Sequence, residues 1–205
     1  MKFLYLILLG LSVTVKLQGQ NCKRLDSKVF FKSIKLGEQI PVDLTACSKK
    51  TKLEYSYYTD YRLEHSSFNQ GCRKKYSDLF NFLSMPFDFS IISTTQKGKI
   101  FYVELYSFFD DNRHGDSINY MPPPNFIGIY NKLVLLYGKP TRIQEAKNQD
   151  SLFIKELGIP RQIEWECNTI NLRLRVNYGS LNKDLNVIDI QVRNTRLEFE
   201  QANQQ

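Results

Sequence analysis

Ile163-Glu164-Trp165-Glu166-Cys167, then Asn168-Thr169, then Ile170-Asn171-Leu172-Arg173-Leu174-Arg175-Val176 is the stretch that decides the fold. Apolar residues recur at every second position on both sides of a short polar break. That is the period of a strand with one buried face. Two such strands joined by so short a connection must run antiparallel. Downstream, a loop from Tyr178-Gly179-Ser180 to Asp184 leads to Ile188, Ile190 and Val192, which alternate in the same way. The region therefore predicts a three-stranded antiparallel meander with one apolar face.

Such a face needs a cover, and the sequence just upstream supplies one. Phe126, Ile129, Tyr130, Leu133 and Tyr137 fall at three- and four-residue steps, one stripe of a helix. Asn125 is placed to cap its start, Gly138 to end it in the left-handed conformation, and Pro140 to prevent its resumption. Pro122-Pro123-Pro124 forms a stiff spacer ahead of it. Earlier still, Phe87–Thr95 and Lys99–Phe108 predict a hairpin turning at Gln96-Lys97-Gly98-Lys99. On its second strand Phe101, Val103 and Leu105 alternate with Ile100, Tyr102 and Glu104. Residues 52–63, rich in Tyr and Thr, suit a strand, and residues 76–83 suit helix or strand equally.

The resulting fold class is α+β, with antiparallel sheet packed on one main amphipathic helix. A looser reading makes residues 20–120 a degenerate copy of the helix-plus-meander unit at 121–193. The tail 194–205 is polar and expected to fray.

Residues 1–19 carry the three parts of a cleavable secretory signal: Met1-Lys2, an apolar run from Phe3 to Val15, and Gly19 at the exit. The apolar run is shorter than the roughly 20 residues that span a bilayer. Cleavage is expected before Gln20, leaving a single domain over 20–193 that is secreted or periplasmic and not inserted in the membrane. Asn21 is too bulky to precede a lipidated Cys22.

Four cysteines remain in this exported chain, an even number that suggests two disulfides. Three pairings are open. Cys47 with Cys72 and Cys22 with Cys167 is preferred, because the first closes a polar segment that otherwise lacks a core. No closely spaced cysteine pair suggests zinc. The formal charge of +7 falls when Lys2 and Lys16 leave with the signal, and the remaining basic residues are scattered. A nucleic-acid binder would gather them in a stripe with interleaved aromatics. The expected partner is instead another envelope or extracellular protein.

Leu136-Tyr137-Gly138-Lys139-Pro140-Thr141, followed by Trp165 and alternating strands, resembles the exported bacterial group of small-protein A (BamE-like) and β-lactamase-inhibitor-protein-like domains. The resemblance covers residues 125–192. It implies an α+β fold that binds a protein on its open sheet face, without enzymatic activity.

No catalytic, cofactor-binding or metal-binding residue is assigned. Gly138-Lys139-Pro140-Thr141 is not a phosphate loop: position 133 is Leu, position 140 is Pro, and this glycine ends a helix where such loops begin one. Asp110, Asn112 and Gly115 fit three positions of a calcium loop, but Met121 stands where the bidentate carboxylate belongs. His65 and His114 lack a nucleophile elbow, yet they mark where a hydrolase, the alternative function, would place its site. Glu164 and Glu166 are expected to meet solvent. The partner-binding candidates are Tyr102, Tyr106, Arg173 and Arg175, on the strand faces opposite the apolar residues.

Overall fold

The computed structural model describes residues 22–27, 30–51, 58–65, 70–109, 113–114, 117–118, 126–144, 160–177 and 186–203. The signal segment, Asn125, the proline run and most of the 110–121 loop lie outside them. The strands are β1 (Lys49–Thr51), β2 (Tyr58–Glu64), β3 (Asn81–Phe82), β4 (Met85–Pro86), β5 (Phe89–Thr95), β6 (Ile100–Phe109), β7 (Arg113–His114), β8 (Ser117–Ile118), β9 (Arg142–Gln144), β10 (Gln162–Glu166), β11 (Ile170–Asn177) and β12 (Asn186–Asn194). The helices are α1 (Val42–Cys47), α2 (Gln70–Lys75), α3 (Phe126–Tyr137) and α4 (Thr195–Ala202). A helical turn at 22–26 precedes them.

The meander forms as its alternation dictates. Trp165 pairs with Leu172, Ile163 with Leu174, Leu172 with Val192, and Leu174 with Ile190, so one face is apolar throughout. The carboxylate of Asp26 secures the β10–β11 turn: one oxygen accepts from the backbone of Thr169 at 3.1 Å, from its hydroxyl at 2.9 Å, and from Ile170 N–H at 3.2 Å.

The meander belongs to one eight-stranded antiparallel sheet in the order β1-β2-β5-β6-β12-β11-β10-β9. Followed inward from either edge, four strands succeed one another in chain order. The last strand of each set meets the other at the centre, where β6 and β12 pair from Tyr102 with Arg193 to Phe109 with Asn186. Both edge strands are only three residues long. Short edges limit pairing with other chains.

One face of the sheet carries the core. Leu63, Ile92, Val103, Leu105, Ile190 and Leu174 are fully buried there. The cover comes from α3 through Phe126, Ile129, Leu133 and Tyr137, and from Leu25, Leu36, Leu44 and Leu79 of the preceding segments. Gly138 takes φ +79° at the end of α3 and donates to Val134 O at 2.8 Å, a left-handed helix stop. Its carbonyl accepts Trp165 Nε1 at 2.9 Å, tying the helix end to β10. Burial holds the Tyr137 phenol at about 12.

Several features depart from what the sequence suggests. The β5–β6 hairpin contains a bulge: Ser93 faces Tyr102, whereas Thr94 faces Ile100. The extra residue is Phe101, so Ile100 turns into the core and Phe101 joins Tyr102 on the other side. A single inserted residue inverts the facing of everything beyond it. Residues 76–83 are neither one helix nor one strand. They form a 3₁₀ turn at Ser77–Leu79 and then the β3 arm of a small hairpin. Asp78 is committed there, accepting from Lys32 N–H at 2.6 Å and from the Ser33 hydroxyl at 2.6 Å.

The polar tail also departs from expectation, because residues 195–202 are helical. Asn194 caps α4 by accepting Leu197 N–H at 3.2 Å, and Arg196 pairs with Glu200 one turn later at 2.9 Å. Gln201 is buried against the β5–β6 turn.

Cys22 and Cys167 are bonded, with Cα atoms 5.2 Å apart, as are Cys47 and Cys72 at 6.3 Å. All four cysteines are thereby used. The first bridge ties the start of the described chain to the end of β10 across 145 residues, the second spans 25. By loop-closure entropy, losing the first costs on the order of 5 kcal/mol and losing the second about 3–4 kcal/mol. Denaturant unfolding of the paired Cys→Ser variants is expected to rank them in that order. Gly98 has φ +75°, and an added Cβ would lie 2.7 Å from Gln39 Oε1. Gly98→Ala is expected to lower stability by about 1–2 kcal/mol in the same assay.

Candidate functional site

The second face of the sheet lies opposite the core, and strand register arranges its side chains in three rows. The first runs Asp60, Ser93, Tyr102, Arg193, Asn171, Glu166. The second runs Arg62, Ile91, Glu104, Gln191, Arg173, Glu164, Arg142. The third runs Glu64, Phe89, Tyr106, Asp189, Arg175, Gln162, Gln144. Acids and arginines alternate across strands, so neighbouring side chains find opposite charge or a hydrogen-bond partner.

Glu104 sits at the centre, on the seam between β6 and β12, and is buried. It accepts from Gln191 Nε2 at 2.6 Å and lies 3.5 Å from Arg175. Tyr102 and Tyr106, one residue pair to either side on β6, also hydrogen bond to it. Burial, together with the Glu104 charge, pushes both phenols far above the ordinary tyrosine range. Beside this cluster Arg175 Nε donates to Asp189 at 2.8 Å, and Arg173 donates to Glu164 at 2.8 Å. Glu164 therefore does not meet solvent. It is buried, and two residues of the adjoining strands point cations at it, Arg173 at 2.8 Å and Arg142 at 3.9 Å. Glu166 remains exposed.

Two further features complete the face. At its β2–β6 side, away from α4, the Phe89 ring stacks on Tyr106 at 4.4 Å and meets Phe108 at 5.4 Å. The Arg62 guanidinium lies 4.5 Å over Phe89. At the opposite end α4 folds over the first row and forms one wall of a half-open cavity of about 440 Å³. Its lining includes Tyr58, Asp60, Phe101, Tyr102 and Glu104 from the sheet, with Glu198 and Gln201 from the helix.

The structure places all four candidates, Tyr102, Tyr106, Arg173 and Arg175, on this face. They fall in two groups separated by β12, and none is a free anchor. The arginines are half-buried and spent on Glu164 and Asp189; the phenols are turned to Glu104. The residues that organise the face are Glu104, Asp189 and Glu164. The sequence signal for them is a lone carboxylate between apolar neighbours in each strand, as in Val103-Glu104-Leu105 and Ile188-Asp189-Ile190.

His65 lies at the end of β2, exposed, with its ring edge-on to Phe80 at 5.4 Å. Its backbone accepts from Arg73 and donates to Asp88 O. The side chain of His114 lies outside the described residues, as do Asp110, Asn112 and Gly115. Among the described residues no group of three or more His, Cys, Asp or Glu is arranged to hold a metal ion. No helix among them is long and apolar enough to cross a membrane. No known protein family matches the chain, and no curated protein or solved structure does so either.

The Asp189 carboxyl is pushed up to about 6, chiefly by burial, against the opposing pull of Arg175. The folded state thus holds this proton more tightly than the unfolded chain. Its contribution to stability is fully present below about pH 4 and is lost as pH rises to about 6. Asp189→Asn is expected to remove that decline, a swing of at most about 3 kcal/mol. Chemical denaturation of both proteins between pH 4 and 7 measures it.

Proposed function

We propose that this is an exported, non-enzymatic protein that captures another envelope or extracellular protein on the open face of its sheet. The observation that carries this reading is the aromatic ladder of Phe89, Tyr106 and Phe108 under Arg62, on a face that the core helices do not cover. Aromatic rings and arginine are the side chains that dominate protein–protein recognition. Here they are held rigid by stacking and by a neighbouring ion-pair network, which lowers the entropy lost on binding. Tyr106 contributes a ring to the ladder. Arg173 and Arg175, across β12, belong to the neighbouring ion-pair network.

Several other features point the same way. Two disulfides suit an oxidising compartment, in line with residues 1–19 acting as a secretory signal. Acids alternate with arginines on the face, which disfavours nucleic acid as the partner. The two inward-running sets of four strands, each preceded by a helix, suit an origin as degenerate halves built around an amphipathic helix. The resemblance of residues 125–192 to protein-binding exported domains agrees with this use of the sheet.

A photo-crosslinking residue, p-benzoylphenylalanine, at Phe108 tests the proposal in the protein's own cell envelope. Phe108→p-benzoylphenylalanine is expected to give a discrete protein adduct that is lost when Arg62→Ala and Phe89→Ala are added. The same probe at Leu135, exposed on α3, is expected to give none. Equal adducts from both positions, or none from position 108, would overturn it.

A further inference from the structure

The cavity under α4 is separate from the aromatic ladder, and its chemistry is different. Its walls are aromatic, from Tyr58, Phe101 and Tyr102, where Tyr58 and Phe101 meet edge-on at 6.0 Å. Among the described residues three carboxylates line it, Asp60, Glu104 and Glu198, against one cation, Arg193.

That cation is already committed. The Arg193 guanidinium lies 5.0 Å over the Tyr102 ring and 3.7 Å from Glu198. Glu104 has Arg175 at 3.5 Å, reaching it from β11, outside the cavity. Asp60 is different. It is half-buried, it accepts the Ser93 hydroxyl at 2.6 Å, and no cation is paired with it among the described residues. Burial, and to a lesser degree the Glu104 charge, raise its carboxyl above the ordinary range even though the Ser93 bond favours the ionised form. A partly desolvated carboxylate within electrostatic reach of a second one, in a cleft walled by aromatic rings, is stabilised by a cation brought from outside.

We infer that this cavity is a binding site for an organic cation, an ammonium group on an apolar stem. The stem lies against Phe101, Tyr58 and Ile91, and the ammonium sits between Asp60 and Glu104. The volume is that of a small-molecule site rather than of a bare ion. The bulge in β6 shapes the cavity: it turns Phe101 from the core into the cavity wall. The same ammonium chemistry occurs in a free arylalkylamine and in a lysine side chain of a bound protein, and the experiment separates these sources.

Isothermal titration calorimetry on the disulfide-bonded protein uses phenylbutylamine, its neutral analogue phenylbutanol, and N-acetyl-lysine methylamide. The amine is expected to bind at least about tenfold more tightly than the alcohol, the worth of one charge-assisted contact. Asp60→Asn is expected to erase that preference without affecting the alcohol. Ala202→Trp, which fills the cavity from the helix side and leaves the carboxylates in place, is expected to abolish binding of both. The tighter of phenylbutylamine and the lysine derivative identifies the source. Equal affinity for amine and alcohol, no binding of either cation at millimolar concentration, or binding unmoved by both substitutions in variants with unchanged melting would overturn the inference.

Discussion

The pairing of β6 with β12 is the constraint on which the rest of this molecule depends. It joins the two inward-running sets of strands into one sheet, and it makes the apolar face continuous from Leu63 on β2 to Trp165 on β10. Without it each set would have both edges uncovered, and α3 would pack on a sheet half as wide. The seam also brings Glu104 and Gln191 together on the opposite face, where a 2.6 Å hydrogen bond joins side chains from the two sets. Structure and surface chemistry are fixed by the same register.

That register carries an electrostatic cost which the neighbouring arginines offset. Glu104, Asp189 and Glu164 are all buried, and removing a carboxylate from water is unfavourable unless it is paired. Arg175 serves Glu104 and Asp189 together, and Arg173 serves Glu164 with a contact to Gln191. Such networks specify geometry more than they add stability. Here they lock the phenols of Tyr102 and Tyr106 against Glu104 and set the spacing between the aromatic ladder and the cavity. This second face is therefore a prearranged surface, with stacked aromatic rings at one end and the cavity under α4 at the other.

The alternation in 163–176 and 186–194 made the meander legible, because every second residue is apolar and the intervening turn is short. Helix α3 was equally plain from its stripe and its glycine stop. What periodicity cannot convey is which strand lies beside which, and nothing in residues 100–109 or 186–194 announces that they pair. The bulge at Phe101 was hidden for a related reason. It depends on the partner strand's register at Ser93 and Thr94, so a reading of β6 alone assigns Ile100 and Phe101 to the wrong faces. Likewise, alternation places Glu164 opposite Trp165, but whether that side is wet depends on Arg173 and Arg142 in other strands. The helical tail was obscured by its composition; its local signals are Asn194 standing as a cap and the Arg196–Glu200 pair one turn apart.

The strand order has a temporal side as well. A chain that emerges N-terminus first completes β1, β2, β5 and β6 early, and β6 then forms the edge of a half-built sheet. That edge is ten residues long and rich in aromatic and branched side chains, with unpaired N–H and C=O groups along one side. Its partner is the last strand of the sheet to be made. Until Asn186–Asn194 arrives, the nascent molecule presents the kind of sticky margin that invites pairing with a second chain. The interval before the two sets of strands join is when this long edge stands uncovered.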